Sequence, residues 1–316
     1  MKMYPIHIAF VADKKYFQYV AVAIYSILKN ADPEDELHFY IASPDATEME
    51  FFEPLRSVKP FFLQFIPFTA QEVLPYCPDG QARSVPFIAR LLLPKLIPNI
   101  DRLIYLDSDL AVTGSLRGFY YTDFAGAYAA GVEDKTAHYA HRPLLKPDYR
   151  LYINAGVLLI DAKRWRDEKA GRYFLQCVHD YPKQLIFLDQ DILNYSFWGR
   201  LKPVDMKWNF HADFFNRLRL YPDNEDLPER KCRPVVWHYS IPVKPWKAGG
   251  LSHPAGRIWR QYAKACPVPV DMPSFWAEAV WTLKRLARFV WVHPGFLFSA
   301  KFWRRVKLQG FLPTIN

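Results

Sequence analysis

The fold of this chain turns on Leu103-Ile104-Tyr105-Leu106-Asp107-Ser108-Asp109, where four apolar residues of a buried strand run into two carboxylates separated by one residue. Along an extended segment alternate side chains share a face, so Asp107 and Asp109 can converge on one point. Paired oxygen ligands at the end of a buried strand suit a hard divalent cation that keeps positions open for phosphate oxygens. Open α/β sheets also take their ligands outside the carboxyl ends of the strands. The same D-x-D step serves equally as a turn capping the next element, and these seven residues do not separate the two readings.

Upstream, residues 6–12 read as a buried first strand with Asp13 just past its end. Val20, Ile24, Ile27 and Leu28 recur at helical spacing, and Asn30-Ala31-Asp32-Pro33 stops that helix. Residues 37–42 and 61–66 read as further strands, and Ala89-Arg90-Leu91-Leu92-Leu93 as part of a helix before the strand at 102–106. This alternation predicts a parallel sheet with helices on both faces. Downstream, residues 128–132 form another strand, leading to Glu133-Asp134. Asn154-Ala155-Gly156 is a small polar step ahead of an apolar strand, either a place for close approach to the backbone or a simple bulge. Asp189-Gln190-Asp191 starts a helix, where Asp is also an ordinary capping residue. A short strand at 235–240 carries His238 between Trp237 and Tyr239; its residues alone suggest a core histidine sooner than a ligand. Neither a G-x-G-x-x-G fingerprint nor a phosphate-binding P-loop is present, and no internal repeat or low-complexity segment is found.

At 316 residues and 51% apolar composition the chain can fill one large or two ordinary domains. Cys77, Cys177, Cys232 and Cys266 lie far apart, which argues against a zinc site or a disulfide scaffold and fits a reducing compartment. The first apolar run is only a strand long, so no signal peptide is expected. The longest uncharged run, residues 16–28, is 13 residues, short of the roughly 20 that span a bilayer. Of the formal charge of +9, residues 275–316 carry +6, leaving +3 for everything before them. A nearly neutral body with its bases in the tail, and no reader motif, argues against nucleic acid.

Five spaced motifs resemble the family-eight retaining glycosyltransferases of the GT-A fold. They are Phe10-Val11-Ala12-Asp13; Ala89-Arg90-Leu91; Leu106-Asp107-Ser108-Asp109; Asn154-Ala155-Gly156-Val157-Leu158 with Asp189-Gln190-Asp191; and His238-Tyr239 with Lys244-Pro245-Trp246. Within that family the chain is similar to the bacterial enzymes that add galactose or glucose to lipopolysaccharide or lipooligosaccharide cores. The resemblance implies a Rossmann-like, nucleotide-binding mixed sheet with helices on both faces, over residues 1–255. It implies Asp107, Asp109 and His238 as ligands of Mn²⁺, with Mg²⁺ as the alternative. It implies a uridine pocket at Val11, Ala12, Asp13 and Tyr16, with Ser108 in the donor site. Arg90 then spans sugar and phosphate, Asp134, Asn154, Ala155, Asp189 and Gln190 hold the donor hexose, and Lys244 meets the diphosphate. The chain departs from the family at Ile241-Pro242, where a glycine usually stands, and at Lys15, where a relative uses asparagine.

The activity so implied is retaining transfer of galactose or glucose from a UDP-sugar to a glycan hydroxyl. A covalent route needs a carboxylate beneath the anomeric carbon. The resemblance places Gln190 there, which favours same-face attack, with Asp189 as the alternative nucleophile. A sugar-phosphate nucleotidylyltransferase and a non-enzymatic protein for anionic surfaces are the rival readings. The last expectation concerns residues 256–316, a helical, basic and aromatic tail. From 275 to 316 it holds ten Phe and Trp residues beside seven bases. Trp276, Val280, Leu283, Ala287 and Val290 fall on one helical stripe, which can lie in a membrane interface. A peripheral protein on the cytoplasmic face of the membrane, taking a lipid-linked glycan, is the expected setting.

Overall fold

The computed structural model describes residues 3–45, 49–78, 80, 85–135, 151–221, 223–253 and 255–292. Its centre is a seven-stranded sheet. In chain order the strands are β1 (Tyr4–Val11), β2 (Asp35–Ser43), β3 (Phe62–Pro67), β4 (Arg102–Leu106), β6 (Ala129–Glu133), β7 (Ile153–Asp161) and β8 (Leu201–Pro203). They lie side by side as β3-β2-β1-β4-β7-β6-β8. A separate two-stranded sheet pairs β5 (Leu110–Val112) with β9 (Val236–His238).

Strand periodicity divides the interior into two layers. Ile6, Ile8 and Phe10 of β1, with Ile104 and Leu106 of β4, join one core; Ala9, Leu103 and Tyr105 point into the other. Helix α1 (Phe17–Asn30) covers the first face with Val20, Ile24 and Leu28 fully buried or nearly so. Each such side chain contributes about 1.5–3 kcal/mol of apolar transfer. Helices α2 (Gly171–Asp180) and α3 (Asp189–Ser196) cover the other face, with Phe174, Cys177, Ile192 and Leu193 in its core, and α4 (Ala212–Leu220) follows β8.

Strands β3, β2, β1 and β4 are parallel, as the alternation of elements predicts. Beyond β4 the sheet becomes mixed, as the family resemblance implies: β7 runs antiparallel to both β4 and β6. That reversal sends β7 past the carboxyl end of β4, so Asn154-Ala155-Gly156 enters the sheet beside Leu106 and Asp107, whose amide donates to Gly156 O at 2.8 Å. The expected helix at 89–93 is a tight 3-10 turn at Ala89–Leu92 between two short helical turns.

Of the tail, two helices fall among the described residues. Helix α5 (Gly256–Ala265) packs on α1 and buries Trp259 fully. Helix α6 (Phe275–Val292) leaves Phe275, Trp276, Val280 and Leu283 exposed, at 47–78% of their surface. The expected continuation with Phe296, Phe298, Lys301, Phe302, Trp303, Arg304, Arg305 and Lys307 lies outside the described residues. Among the described residues no helix is long and apolar enough to cross a membrane.

Candidate active site

The two aspartates leave β4 in the turn to β5. Strand β5 pairs with β9 so that Leu110 stands opposite His238, and Asp109 O accepts from Tyr239 N at 2.8 Å. This register delivers the imidazole to the carboxylates. His238 Nε2 lies 3.3 Å from Asp109 Oδ1 and 3.5 Å from Asp107 Oδ2. One ligand atom from each of the three residues falls within 4.8 Å of the others. Gly156 makes the room: a Cβ there would run into His238 Cε1 and Asp107 Oδ2. The small step in β7 does admit close approach to the backbone, and the approaching groups are the chain's own side chains.

Two carboxylate oxygens and an imidazole nitrogen suit a divalent cation of intermediate hardness, and the electrostatics of the trio fit one. Burial opposes the charge on His238, but Asp109 and Asp107 beside it raise its pKa to about 9. Burial likewise opposes the charge on Asp109, yet His238 and Lys244 together hold that carboxyl below its usual range. A proton on His238 therefore answers the two carboxylates, and a cation with the same partners would displace it.

A second layer of side chains orients the trio. Asn209, fully buried, accepts from His238 Nδ1 at 2.9 Å and donates through Nδ2 to Asn154 Oδ1 at 2.9 Å. That bond places the ring proton on Nδ1 and leaves Nε2 as the ligand atom, as metal-binding histidines usually have it. Tyr105 OH donates to Asp107 Oδ1 at 2.6 Å; burial raises its pKa well above the ordinary value and keeps the phenol a donor. Lys244 Nζ donates to Asp109 Oδ2 at 2.5 Å and to Tyr239 O at 2.9 Å.

Arg90 projects from the 3-10 turn across the floor of the site. Its Nη1 meets Asp107 Oδ1 at 3.0 Å and donates to Ala155 O at 3.1 Å; its Nε meets Asp189 Oδ2 at 3.1 Å. The guanidinium stands 4.7 Å over the Tyr105 ring. Burial opposes its charge, but Asp107 and Asp189 outweigh that and hold it firmly protonated. Burial pushes the Asp189 carboxyl up to about 7, with Arg90 pulling the other way.

From Asn154 the hydrogen bonds continue to the start of α3. Asn154 Nδ2 and Gln190 Nε2 donate to Asp134 Oδ2 at 3.1 and 3.2 Å, and Gln190 Oε1 accepts from Ala155 N at 3.0 Å. Asp191 anchors that helix from within, accepting from Phe187 N at 2.7 Å and from Tyr152 OH at 2.5 Å. Leu188, just before the helix, takes a left-handed backbone with φ +45.

Val11, Ala12, Asp13, Tyr16, Arg90, Asp107, Ser108, Asp109, Asn154, Ala155, Asp189, Gln190, His238 and Lys244 all line one cleft of about 610 Å³. Asp134 stands behind them as the shared acceptor of Asn154 and Gln190. Sequence reasoning missed Asn209, Tyr105 and Gly156 as members of the site. Only Gly156 carried a usable signal, the small-small step; nothing in the spacing of Lys207-Trp208-Asn209 foretells its contact with His238.

The model of the family described as Glycosyl transferase family 8 matches residues 7–250. The chain belongs to that family. The family 8 chain is 26% identical to the lipopolysaccharide 1,3-galactosyltransferase of Salmonella typhimurium over 272 residues, 83% of this chain and 78% of that protein. It is 27% identical to the lipopolysaccharide 1,2-glucosyltransferase of Escherichia coli over 268 residues, 80% of this chain and 74% of that one. Among solved structures, galactosyltransferase LgtC in complex with donor and acceptor sugar analogues superposes with a TM-score of 0.69 at 26% identity, covering 86% of this chain and 99% of that chain. The family 8 chain thus has the GT-A fold and is a glycosyltransferase related to lipopolysaccharide transferases, with an Asp-Asp-His cluster able to hold a divalent metal.

Proposed function

We propose that the chain transfers galactose or glucose from a UDP-sugar to a hydroxyl of a lipid-linked glycan of lipopolysaccharide type, with retention at the anomeric carbon. The observation that carries this reading is the convergence of Asp107, Asp109 and His238 with two cations, Arg90 and Lys244, in one cleft at the carboxyl ends of β1 and β4. Asp107, Asp109 and His238 would hold Mn²⁺ or, alternatively, Mg²⁺, which would supply Lewis-acid stabilisation of the departing diphosphate. Lys244 and Arg90 bring fixed positive charge to the same leaving group, where it counts most in a water-poor cleft. Val11, Ala12, Asp13 and Tyr16 form the uridine end of the cleft, with Ser108 beside the diphosphate. Asn154, Ala155, Asp189 and Gln190 form the hexose end, braced by Asp134.

Retention proceeds by same-face attack. Asp189 is engaged by Arg90 at 3.1 Å, which directs its carboxylate at a guanidinium instead of a sugar carbon. Gln190 is fixed by Asp134 and the Ala155 amide, and its remaining amide-oxygen lone pair stabilises an oxocarbenium-like centre. The exposed stripe Phe275, Trp276, Val280 and Leu283 on α6 supports peripheral seating on the cytoplasmic face of the membrane.

Donor hydrolysis by the purified protein across a panel of nucleotide sugars tests the reading without an acceptor. UDP-galactose or UDP-glucose is turned over with Mn²⁺ and spared when a chelator is added. Indifference to every UDP-sugar overturns the assignment. Flotation with anionic vesicles at low salt tests the membrane setting, and a full-length chain that ignores them rules it out.

A further inference from the structure

Helix α6 touches the rest of the molecule through residues that its apolar stripe does not include. Glu278 accepts from Gly249 N at 2.7 Å and pairs with Arg260 Nη2 of α5. Arg260, itself buried, donates through Nε to Pro245 O at 2.7 Å and through Nη2 to Lys247 O at 3.1 Å. Trp281 packs over Gly249, whose φ of +86 suits glycine and where a Cβ would run into the indole. Three contacts from the tail therefore converge on one loop, residues 245–249, which starts directly after Lys244. That lysine is the residue whose ammonium reaches Asp109.

A helix serving only as an anchor has no need of a half-buried carboxylate directed at an active-site loop. Removing Glu278 from this partly buried ion pair leaves the buried Arg260 guanidinium without its carboxylate. Here the uncompensated guanidinium would be the one that fixes two carbonyls of the Lys244 loop. We propose that Glu278, acting through Arg260, is a positioning residue for Lys244, so that α6 is a structural part of the nucleotide-sugar site as well as a surface element. This rests on the donor-site reading above. It also means that a chain cut before Phe275 loses more than its surface stripe, because Glu278 and Trp281 leave with it.

A double-mutant cycle on UDP affinity in the presence of Mn²⁺, measured by calorimetry on the full chain, tests the link. Glu278→Gln weakens UDP binding about tenfold and raises the donor KM while kcat moves little. In a Lys244→Met background the same change costs nothing further, since the group it positions is gone. Arg260→Lys keeps the cation but not its two-pronged donation, gives a smaller loss, and stands in should Glu278→Gln fold poorly by melting. UDP affinity unchanged in Glu278→Gln, or a loss of equal size with and without Lys244, overturns the proposal. Failure of the wild type itself to bind UDP overturns the donor-site reading and this inference together.

Discussion

The three members of the metal-type cluster reach one point by two different routes. Asp107 and Asp109 arrive locally, at the end of β4, with one residue between them. His238 arrives from 129 positions further along the chain, carried by the pairing of β5 with β9. The local half depends on strand geometry that any extended segment supplies. The distant half depends on a three-residue ladder, on Gly156 giving room, and on Asn209 holding the ring. A site with one local and one distant arm is robust on the first and vulnerable on the second.

Asp109→Asn strikes the local arm directly. It is expected to cut kcat/KM for the donor about a thousandfold and to abolish Mn²⁺ binding by calorimetry, and full activity in chelator contradicts it. Gly156→Ala belongs with it, forcing the two arms apart: Mn²⁺ binding is lost while the circular dichroism spectrum keeps its wild-type shape, and melting falls by a few degrees as the crowded groups shift. Next in size, Gln190→Ala lowers kcat about a hundredfold while the donor KM moves by less than about threefold, the mark of an interaction made at the barrier. A large KM change with kcat intact places Gln190 in ground-state binding instead.

Asn209→Leu addresses the distant arm alone. Losing the group that holds His238 Nδ1 weakens metal affinity about ten- to hundredfold, read as free Mn²⁺ by electron paramagnetic resonance; unchanged affinity removes Asn209 from the site. The smallest effect is one of pH. His238 sits at about 9 in the folded metal-free protein, above its ordinary 6.5. Its stabilising contribution is complete below pH 6.5 and is lost as the pH rises through 9. The metal-free melting temperature should fall by a few degrees across that window, and His238→Gln should flatten the slope.

The same division governs what could be read in advance. The strand at 102–106 matches β4 residue for residue, and α1 carries the expected apolar spacing and stops where Asn30-Ala31-Asp32-Pro33 places its end. These are signals confined to a few turns or one strand. The reversal of β7 could not be read from its apolar run, since a buried strand looks alike parallel or antiparallel; only the family resemblance implied a mixed sheet. The turn at Ala89–Leu92 reads as helix because its spacing differs from α by less than a residue per turn. His238 looked like a core residue among aromatics, and only the resemblance to a family lifted it; its role is written in a strand register, not in its neighbours. Tyr105 is hidden in another way, as one more apolar position of a strand whose hydroxyl happens to meet the carboxylate two residues on.

Arg90 sets a limit on how this chain can drift. Its planar fork serves two carboxylates, two backbone carbonyls and the face of a tyrosine at once. A lysine offers a point charge that can satisfy only part of that set. The neighbouring Leu91 and Leu92, held by packing alone, can exchange for other aliphatic residues of similar volume. Within three consecutive positions of one turn, evolutionary freedom therefore goes from nearly closed to broadly open, and a descendant that keeps the fold while losing the arginine has changed its chemistry.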